Sequence, residues 1–127
     1  MKIILHITTL DEWAQARAAG VYAPESLAHE KFIHCSLASQ VIEVANNYYT
    51  KQQDLLLVCI DPRYLESPLK YEPPFMGDGT EPSPTGTLSL FPHIYGPLNL
   101  DAVIMVVEFP PEPNGTFTLP RLVRDIV

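Results

Sequence analysis

The stretch "DLLLVCI" (Asp54–Ile60) carries the strongest strand pattern in the chain. Its apolar run shows no alternation with polar residues, which is typical of a strand buried on both faces. The Asp61–Pro62 pair that follows is a turn signal and ends the segment. With 127 residues, the chain is long enough to enclose this strand in one hydrophobic core, so we predict a single domain over residues 1–127.

Strand and helix patterns alternate on both sides of this segment. Four more stretches have the composition of strands: Lys2–Thr8, Phe32–Cys35, Leu69–Glu72 and Asp101–Phe109. Apolar residues at helical spacing predict one helix over Glu12–Ala19 and another from Ser36 or Ser39 to about Tyr49. The order β-α-β-α-β, followed by mostly β, indicates an α+β fold instead of a doubly wound parallel sheet.

A Pro- and Gly-rich segment interrupts the second half of the chain. Residues 73–91 contain Pro73, Pro74, Pro82 and Pro84 with three glycines, which argues against regular structure there. Loops of this length in compact domains carry a function or are disordered. We expect residues 73–90 to be the least ordered part of the chain and to flank the functional site; an insertion away from the site is the alternative.

The net charge of −7, from 15 acidic and 8 basic residues, comes without any cluster of Lys or Arg. This distribution argues against nonspecific nucleic-acid binding, which needs several cationic contacts, but it permits a small anionic ligand. Lys2 leads directly into Ile3–Ile7, an apolar run too short for a secretory signal or a membrane span. We therefore expect a cytoplasmic protein without a membrane partner; the sequence leaves its oligomeric state open.

Two cysteines, Cys35 and Cys59, both lie in apolar runs with strand patterns. We expect them to be buried structural thiols in a reducing cytosol. A nucleophilic Cys35 beside His34 is the alternative. Sequence neighbours on a strand point to opposite faces, however, and this argues against that pairing.

Three of the four histidines, His6, His34 and His93, lie in short apolar runs, whereas His29 lies in a polar run and is expected at the surface. Each of the three is followed two residues later by a side chain that forms hydrogen bonds: Thr8, Ser36 and Tyr95. On a strand this spacing places both members of a pair on one face. Burying three polar pairs is costly unless they meet each other, a ligand or water, so we predict one cleft to which all three contribute.

Two chemistries suit such a cleft. Three imidazoles can hold zinc, but the sequence has no His-x-His or His-Glu-x-x-His spacing, and we expect no metal. The other chemistry is a site for a polar organic ligand, where imidazoles, hydroxyls and a phenol bind sugar or phosphate oxygens and an aromatic ring stacks on a base. No Gly-x-Gly-x-x-Gly or P-loop occurs, so a nucleotide would be bound in another way.

Several motifs together resemble the family of small bacterial proteins called domain of unknown function 952. The pieces that carry the resemblance are "HITTLDEWAQARAAGVY" (His6–Tyr22), "KFIHCS" (Lys31–Ser36) with Gln40, "DLLLVCID" (Asp54–Asp61), "LKYE" (Leu69–Glu72) and "FPHIYGPL" (Phe91–Leu98). Members of the family usually have Gly where this chain has Lys31, and their loop after the position of Glu72 is shorter.

The resemblance implies membership of the ADP-ribosyltransferase-like superfamily. The implied fold is a split, mostly antiparallel sheet with two or three helices around an NAD-binding cleft. On this resemblance His6 contacts the ribose of NAD and His34 lies beside the nicotinamide. Thr8, Thr9, Ser36, Tyr95 and Glu72 are expected to help bind NAD, and the expected catalytic residues are His6, His34, His93 and Tyr95. The third position falls to His93 or Tyr95, or to Glu72 in an acidic role.

The function that follows from the resemblance is an enzyme that uses NAD as its substrate and cleaves the glycosidic bond to nicotinamide. A noncatalytic module that binds a nucleotide or a modified sugar in the same cleft is the alternative. A metal hydrolase with three histidine ligands is the third. In the first two cases the partner is a small-molecule nucleotide ligand.

Overall fold

The computed structural model describes residues 2–73 and 90–127. The strands are β1 (Ile4–Thr9), β2 (Val21–Tyr22), β3 (Ile33–His34), β4 (Leu55–Ile60), β5 (Leu69–Glu72), β6 (Phe91–Ile94), β7 (Leu98–Asn99) and β8 (Val103–Glu108). The helices are α1 (Leu10–Ala19), α2 (Glu25–Glu30), α3 (Ala38–Tyr48) and α4 (Arg121–Arg124). The expectation that residues 73–90 are poorly ordered and flank the site falls almost wholly outside the described residues.

Antiparallel pairing builds every described sheet. The order β1-β4-β8 forms one three-stranded sheet, β3-β6-β5 forms another, and β2 pairs with β7. Backbone hydrogen bonds between Leu5 and Ser36 join the two larger sheets, with N–O distances of 2.8 and 2.7 Å in the two directions. The predicted α+β class with mostly antiparallel strands is therefore confirmed.

The strand β4 is the centre of the fold, as its sequence predicts. All six of its residues are buried, and it lies between β1 and β8. Leu57 and Cys59 face an apolar cluster under α3, whereas Val58 and Ile60 face a second cluster under α1 and the sheet of β6. Burial of both faces explains why this strand shows no polar alternation.

Two predictions about elements are wrong in detail. The irregular segment does not extend to residue 91, because Phe91 begins β6 in the middle of its sheet. Pro92 is compatible with this place since its carbonyl accepts a hydrogen bond from Cys35 N over 3.0 Å, a contact that needs no N–H on the proline. The described residues also contain four helices instead of two or three, because α4 follows Pro120 in a segment without a clear pattern.

Both thiols are free and buried in the described structure. Cys35 belongs to the cluster around α1 and Cys59 to the cluster under α3. Burial raises the pKa of Cys59 to about 11 and raises the pKa of Cys35 even further. A thiol that stays protonated is a poor nucleophile, so the geometry supports the structural interpretation of Cys35.

In residues 2–73 and 90–127, no helix is long and apolar enough to cross a lipid bilayer.

Candidate functional site

The sheet β3-β6-β5 has one apolar and one polar face. His93 of β6 pairs across the strands with His34 of β3 and with Lys70 of β5, so these three side chains share a face. Period two adds the remaining members of what we call the histidine face: Phe32, Glu72 and Tyr95. Side chains of the opposite face pack into the core: Ile33, Cys35, Leu69 and Ile94. The predicted assignment of His34 and Cys35 to opposite faces is thus confirmed.

A carboxylate, an imidazole and a phenol form the centre of this face. Glu72 Oε1 accepts a hydrogen bond from Tyr95 Oη over 2.5 Å and another from His93 Nδ1 over 2.8 Å. These two bonds, with that from Tyr95 the larger cause, hold the pKa of Glu72 below its usual value. Glu72 is therefore an ionised carboxylate at neutral pH, and 34% of its side chain is exposed.

His93 supports this carboxylate from within the protein. Its side chain is only 3% exposed, and burial lowers the pKa of the imidazole although Glu72 acts in the other direction. Phe32 stacks on the imidazole with ring centroids 4.1 Å apart and an angle of 22° between the planes. Since a carboxylate only accepts, the proton of the neutral ring lies on Nδ1. His93 is thus a fixed donor behind Glu72.

A second pair of imidazole and carboxylate lies beside the first. His34 Nε2 is hydrogen bonded to Oε2 of Glu30, the last residue of α2, and the His34 ring meets the His93 ring edge-on at 5.6 Å. The side chains of His34 and Glu30 are 41% and 31% exposed, so solvent reaches this pair. Glu30 was not predicted as a site residue.

The backbone at Lys31 brings Glu30 next to His34. Lys31 ends α2 in the left-handed conformation, with φ 77°, and the chain turns there from the helix into the segment that leads to β3. Glycine adopts this conformation without steric cost, so the position suits glycine. The spacing of four residues between Glu30 and His34 in "EKFIH" (Glu30–His34) is the sequence signal from which Glu30 could have been found.

Tyr95 is positioned by its backbone and by a neighbouring cation. Its N–H donates to the carbonyl of Pro68 over 2.8 Å, and Lys70 Nζ lies 4.8 Å from the centre of its ring. The hydrogen bond to Glu72 raises the pKa of the phenol, which therefore stays protonated and donates. Gly96 follows with φ 148°, and a Cβ there would lie 2.5 Å from Ser67 Oγ. The close contact between these two loops requires glycine.

His6 belongs to a separate, buried network. Its Nδ1 donates to the backbone carbonyl of His34 over 2.5 Å, and its Nε2 is 2.7 Å from the hydroxyl of Tyr22. The same hydroxyl is hydrogen bonded to Thr8, with 3.1 Å between the oxygens. Burial lowers the pKa of His6 to about 4, so the ring is neutral at neutral pH. Both ring nitrogens are used within the protein, and His6 fixes the backbone of β3 at His34.

The remaining predicted site residues have structural partners. Thr9 caps α1 by accepting from the N–H of Glu12 over 3.1 Å, and Ser36 is buried where its backbone pairs with Leu5. The structure therefore brings four predicted residues together on the histidine face: His34, Glu72, His93 and Tyr95. The predicted single cleft with all three histidines is not formed on this face, because both ring nitrogens of His6 are bonded inside the protein, to the backbone carbonyl of His34 and to the hydroxyl of Tyr22.

Gln40 connects α3 to β6. Its side chain accepts from Leu37 N over 2.8 Å at the start of the helix and donates to the carbonyl of Leu90 over 2.9 Å. The second bond fixes the residue that precedes β6. Gln40 thus positions the strand that carries His93.

Within the described ranges, no group of three or more His, Cys, Asp or Glu side chains is arranged to hold a metal ion.

The sequence places the chain in a known class of proteins. It belongs to the family described as "Protein of unknown function (DUF952)", whose profile matches residues 7–106. Among curated proteins, none matches the sequence significantly.

Protein CC0527 from Caulobacter crescentus is similar in structure. Its crystal structure is 25% identical in sequence and covers 92% of this chain and 94% of its own, with a TM-score of 0.76. Its solution NMR structure, at 27% identity, covers 98% of this chain and 97% of its own, with a TM-score of 0.72. The fold is thus shared over nearly the whole length of both chains.

Proposed function

We propose that the histidine face binds NAD or a related nucleotide sugar and cleaves the bond between nicotinamide and ribose. The observation that carries this proposal is the ionised, partly exposed carboxylate of Glu72, held by donors from Tyr95 and His93. The pyridinium of NAD leaves with the bonding electrons as neutral nicotinamide, so its departure needs no acid. What the reaction needs is negative charge beside the ribose, where positive charge develops.

The contacts of Glu72 hold its negative charge in a fixed position. Two hydrogen bonds to one oxygen hold Glu72 in place, and the Phe32 ring stacked on His93 keeps water from the donor behind it. A charged group that is already in position before the reaction stabilises the transition state without any rearrangement of the site during the reaction. Glu72 therefore takes the electrostatic role, while His93 and Tyr95 position its carboxylate.

The same face has groups that suit the rest of a dinucleotide. Lys70 is exposed and lies over the ring of Tyr95, where its ammonium attracts phosphate oxygens in a chain whose net charge is −7. This feature supports a ligand that carries phosphate.

A binding assay followed by an activity assay tests the proposal. NAD at about a hundred times its dissociation constant should stabilise the protein by about 2.7 kcal/mol in a thermal shift experiment, and nicotinamide should be released over time. Lys70→Ala should weaken the stabilisation by NAD, whereas Lys2→Ala, at an exposed position away from the face, should not.

Each outcome of these assays has a clear meaning. Stabilisation by NAD with release of nicotinamide supports the enzyme. Stabilisation without release supports the noncatalytic binding module. The absence of stabilisation by both NAD and ADP-ribose contradicts the proposal.

A further inference from the structure

The charge stabilisation proposed for Glu72 leaves the pair formed by Glu30 and His34 without a task. This pair is accessible to solvent, with 31% of the Glu30 side chain and 41% of the His34 side chain exposed. It lies next to the centre described above, since the His34 ring meets the His93 ring edge-on at 5.6 Å. An imidazole oriented by a carboxylate is the usual arrangement of a general base.

We propose that the Glu30–His34 pair is the general base that activates the acceptor of the ribosyl group, and that this acceptor is a neutral hydroxyl, with water as the simplest case. This inference rests on the proposed cleavage of NAD. It assigns a task to Glu30, which connects α2 to the site, and it defines the chemical class of the second substrate.

The proposed step exchanges the bond from the ribose carbon to nicotinamide for a bond to the acceptor oxygen, and the acceptor attacks as nicotinamide leaves. The bond between the ribose carbon and the pyridinium nitrogen breaks, and its electron pair stays with nicotinamide. The acceptor oxygen forms a new bond to the ribose carbon, and its proton passes to the Glu30–His34 pair and then to solvent. With water as acceptor the products are nicotinamide, ADP-ribose and one proton, so no oxidant, reductant or further reactant is needed.

The charges of the face favour a hydroxyl over an anionic acceptor. A phosphate or carboxylate is already deprotonated at neutral pH and needs no base. Glu30 and Glu72 both place carboxylates on this face, and they repel a second anion that approaches the ribose. A neutral hydroxyl meets no such repulsion and benefits from a base, so the pair suits water or an alcohol.

Other titratable groups act on the pair from four elements, and one of them is His6 of β1, which donates to the backbone carbonyl of His34. His93 faces His34 from β6, and Lys70 and Glu72 lie on β5 beyond it. Tyr49 lies at the end of α3. Burial is the larger cause of its raised pKa, and the negative charge of Glu30 also raises it. Glu30 is hydrogen bonded to the His34 ring itself, so its removal should alter the pH dependence of the reaction most.

The test compares Glu30→Gln and His34→Gln with Glu25→Gln. Glu25 forms an equivalent pair with His29 on the same helix α2, but both side chains are strongly exposed and away from the histidine face, which makes it a matched control. We expect each change at Glu30 or His34 to slow the release of nicotinamide by about 100-fold, to keep NAD-induced stabilisation, and to alter the pH profile of the rate. Glu25→Gln should match the wild type.

Acceptor competition provides the second readout. In buffer with methanol the wild type should form methyl ADP-ribose together with ADP-ribose, and in buffer with inorganic phosphate it should form no phosphorylated ADP-ribose. If the wild type cleaves NAD but Glu30→Gln and His34→Gln keep its rate and pH profile, or if phosphate is the better acceptor, the inference is wrong and the proposed function stands. If the wild type cleaves no NAD, the proposed function fails first.

Discussion

His93 donates a hydrogen bond from Nδ1 to Oε1 of Glu72 over 2.8 Å, so that a buried imidazole supports a partly exposed carboxylate. Tyr95 donates to the same oxygen over 2.5 Å. Two strands, β5 and β6, thus contribute to one charged group. This relationship gives the histidine face its fixed negative charge, and it makes the stability of the protein depend on pH.

Glu72→Gln should reduce stability at neutral pH and have less effect in acid. The folded state lowers the pKa of Glu72 below its ordinary 4.5, so its contribution is present above that pH and is lost as pH falls through the folded value. The difference in urea midpoint between wild type and Glu72→Gln should therefore narrow as pH falls below the ordinary 4.5. A difference that stays constant over this range would contradict the two bonds to the carboxylate.

His6→Ala should destabilise the fold. The change removes the partner of the Tyr22 hydroxyl and of the His34 carbonyl, both in the interior, at a cost of about 1–3 kcal/mol for each group left unpaired. Urea denaturation measures the loss. Thr9→Ala, at the end of the same strand, is the comparison, because it removes only an exposed helix cap. It should lower the free energy of unfolding by about 1 kcal/mol.

His6 should also make the free energy of unfolding depend on pH in acid. Because the folded pKa of His6, about 4, lies below its ordinary 6.5, stability is fully present above the ordinary value and is lost as pH falls from there towards about 4. His6→Gln should remove this dependence while Gln keeps part of the hydrogen bonding. If wild type and His6→Gln lose stability in parallel through this range, His6 is not the buried neutral group described above.

Lys31→Gly should stabilise the protein by about 1 kcal/mol, because Lys31 is held at φ 77°, where a Cβ is unfavourable. Lys31→Ala is the control, since it shortens the side chain but keeps the Cβ. A thermal melt that ranks Gly no higher than Ala would show that the backbone at this turn carries no strain.

Gly96→Ala should destabilise more than Gly20→Ala. Both glycines have positive φ, 148° and 83°, but a Cβ meets Ser67 Oγ at 2.5 Å in the first case and nothing within 4 Å in the second. We expect Gly20→Ala to lower the free energy of unfolding by about 1–2 kcal/mol from backbone strain alone, and Gly96→Ala to lower it by more. Equal losses in urea denaturation would mean that Ser67 moves away freely.

Much of the fold could be predicted because local patterns and tertiary packing agree in it. The segment Leu55–Ile60 is apolar throughout and is buried on both faces, and Gly20 ends α1 in the left-handed conformation as its position suggests. The strand β6 could not be found in this way, because Pro92 and the glycine-rich segment before it are typical of loops. Its pairing depends on β3 and β5, which lie far away in the sequence.

The site could be predicted only in part for a related reason. The spacing of two residues correctly pairs His93 with Tyr95, which share Glu72, and His6 with Thr8, which share Tyr22. The sequence gives no indication, however, that the two ring nitrogens of His6 are bonded to the hydroxyl of Tyr22 and to the backbone carbonyl of His34. Which polar pairs meet each other is decided by strand pairing over long sequence separations.

The rate of nicotinamide release from NAD, compared between wild type, Glu72→Gln and the exposed Glu43→Gln, tests the central claim most directly. If Glu72 supplies the negative charge beside the ribose, the wild type and Glu43→Gln should release nicotinamide at equal rates, and Glu72→Gln should be slower by about 100-fold with NAD binding retained. Equal rates in all three proteins, or no release by the wild type, would contradict the account.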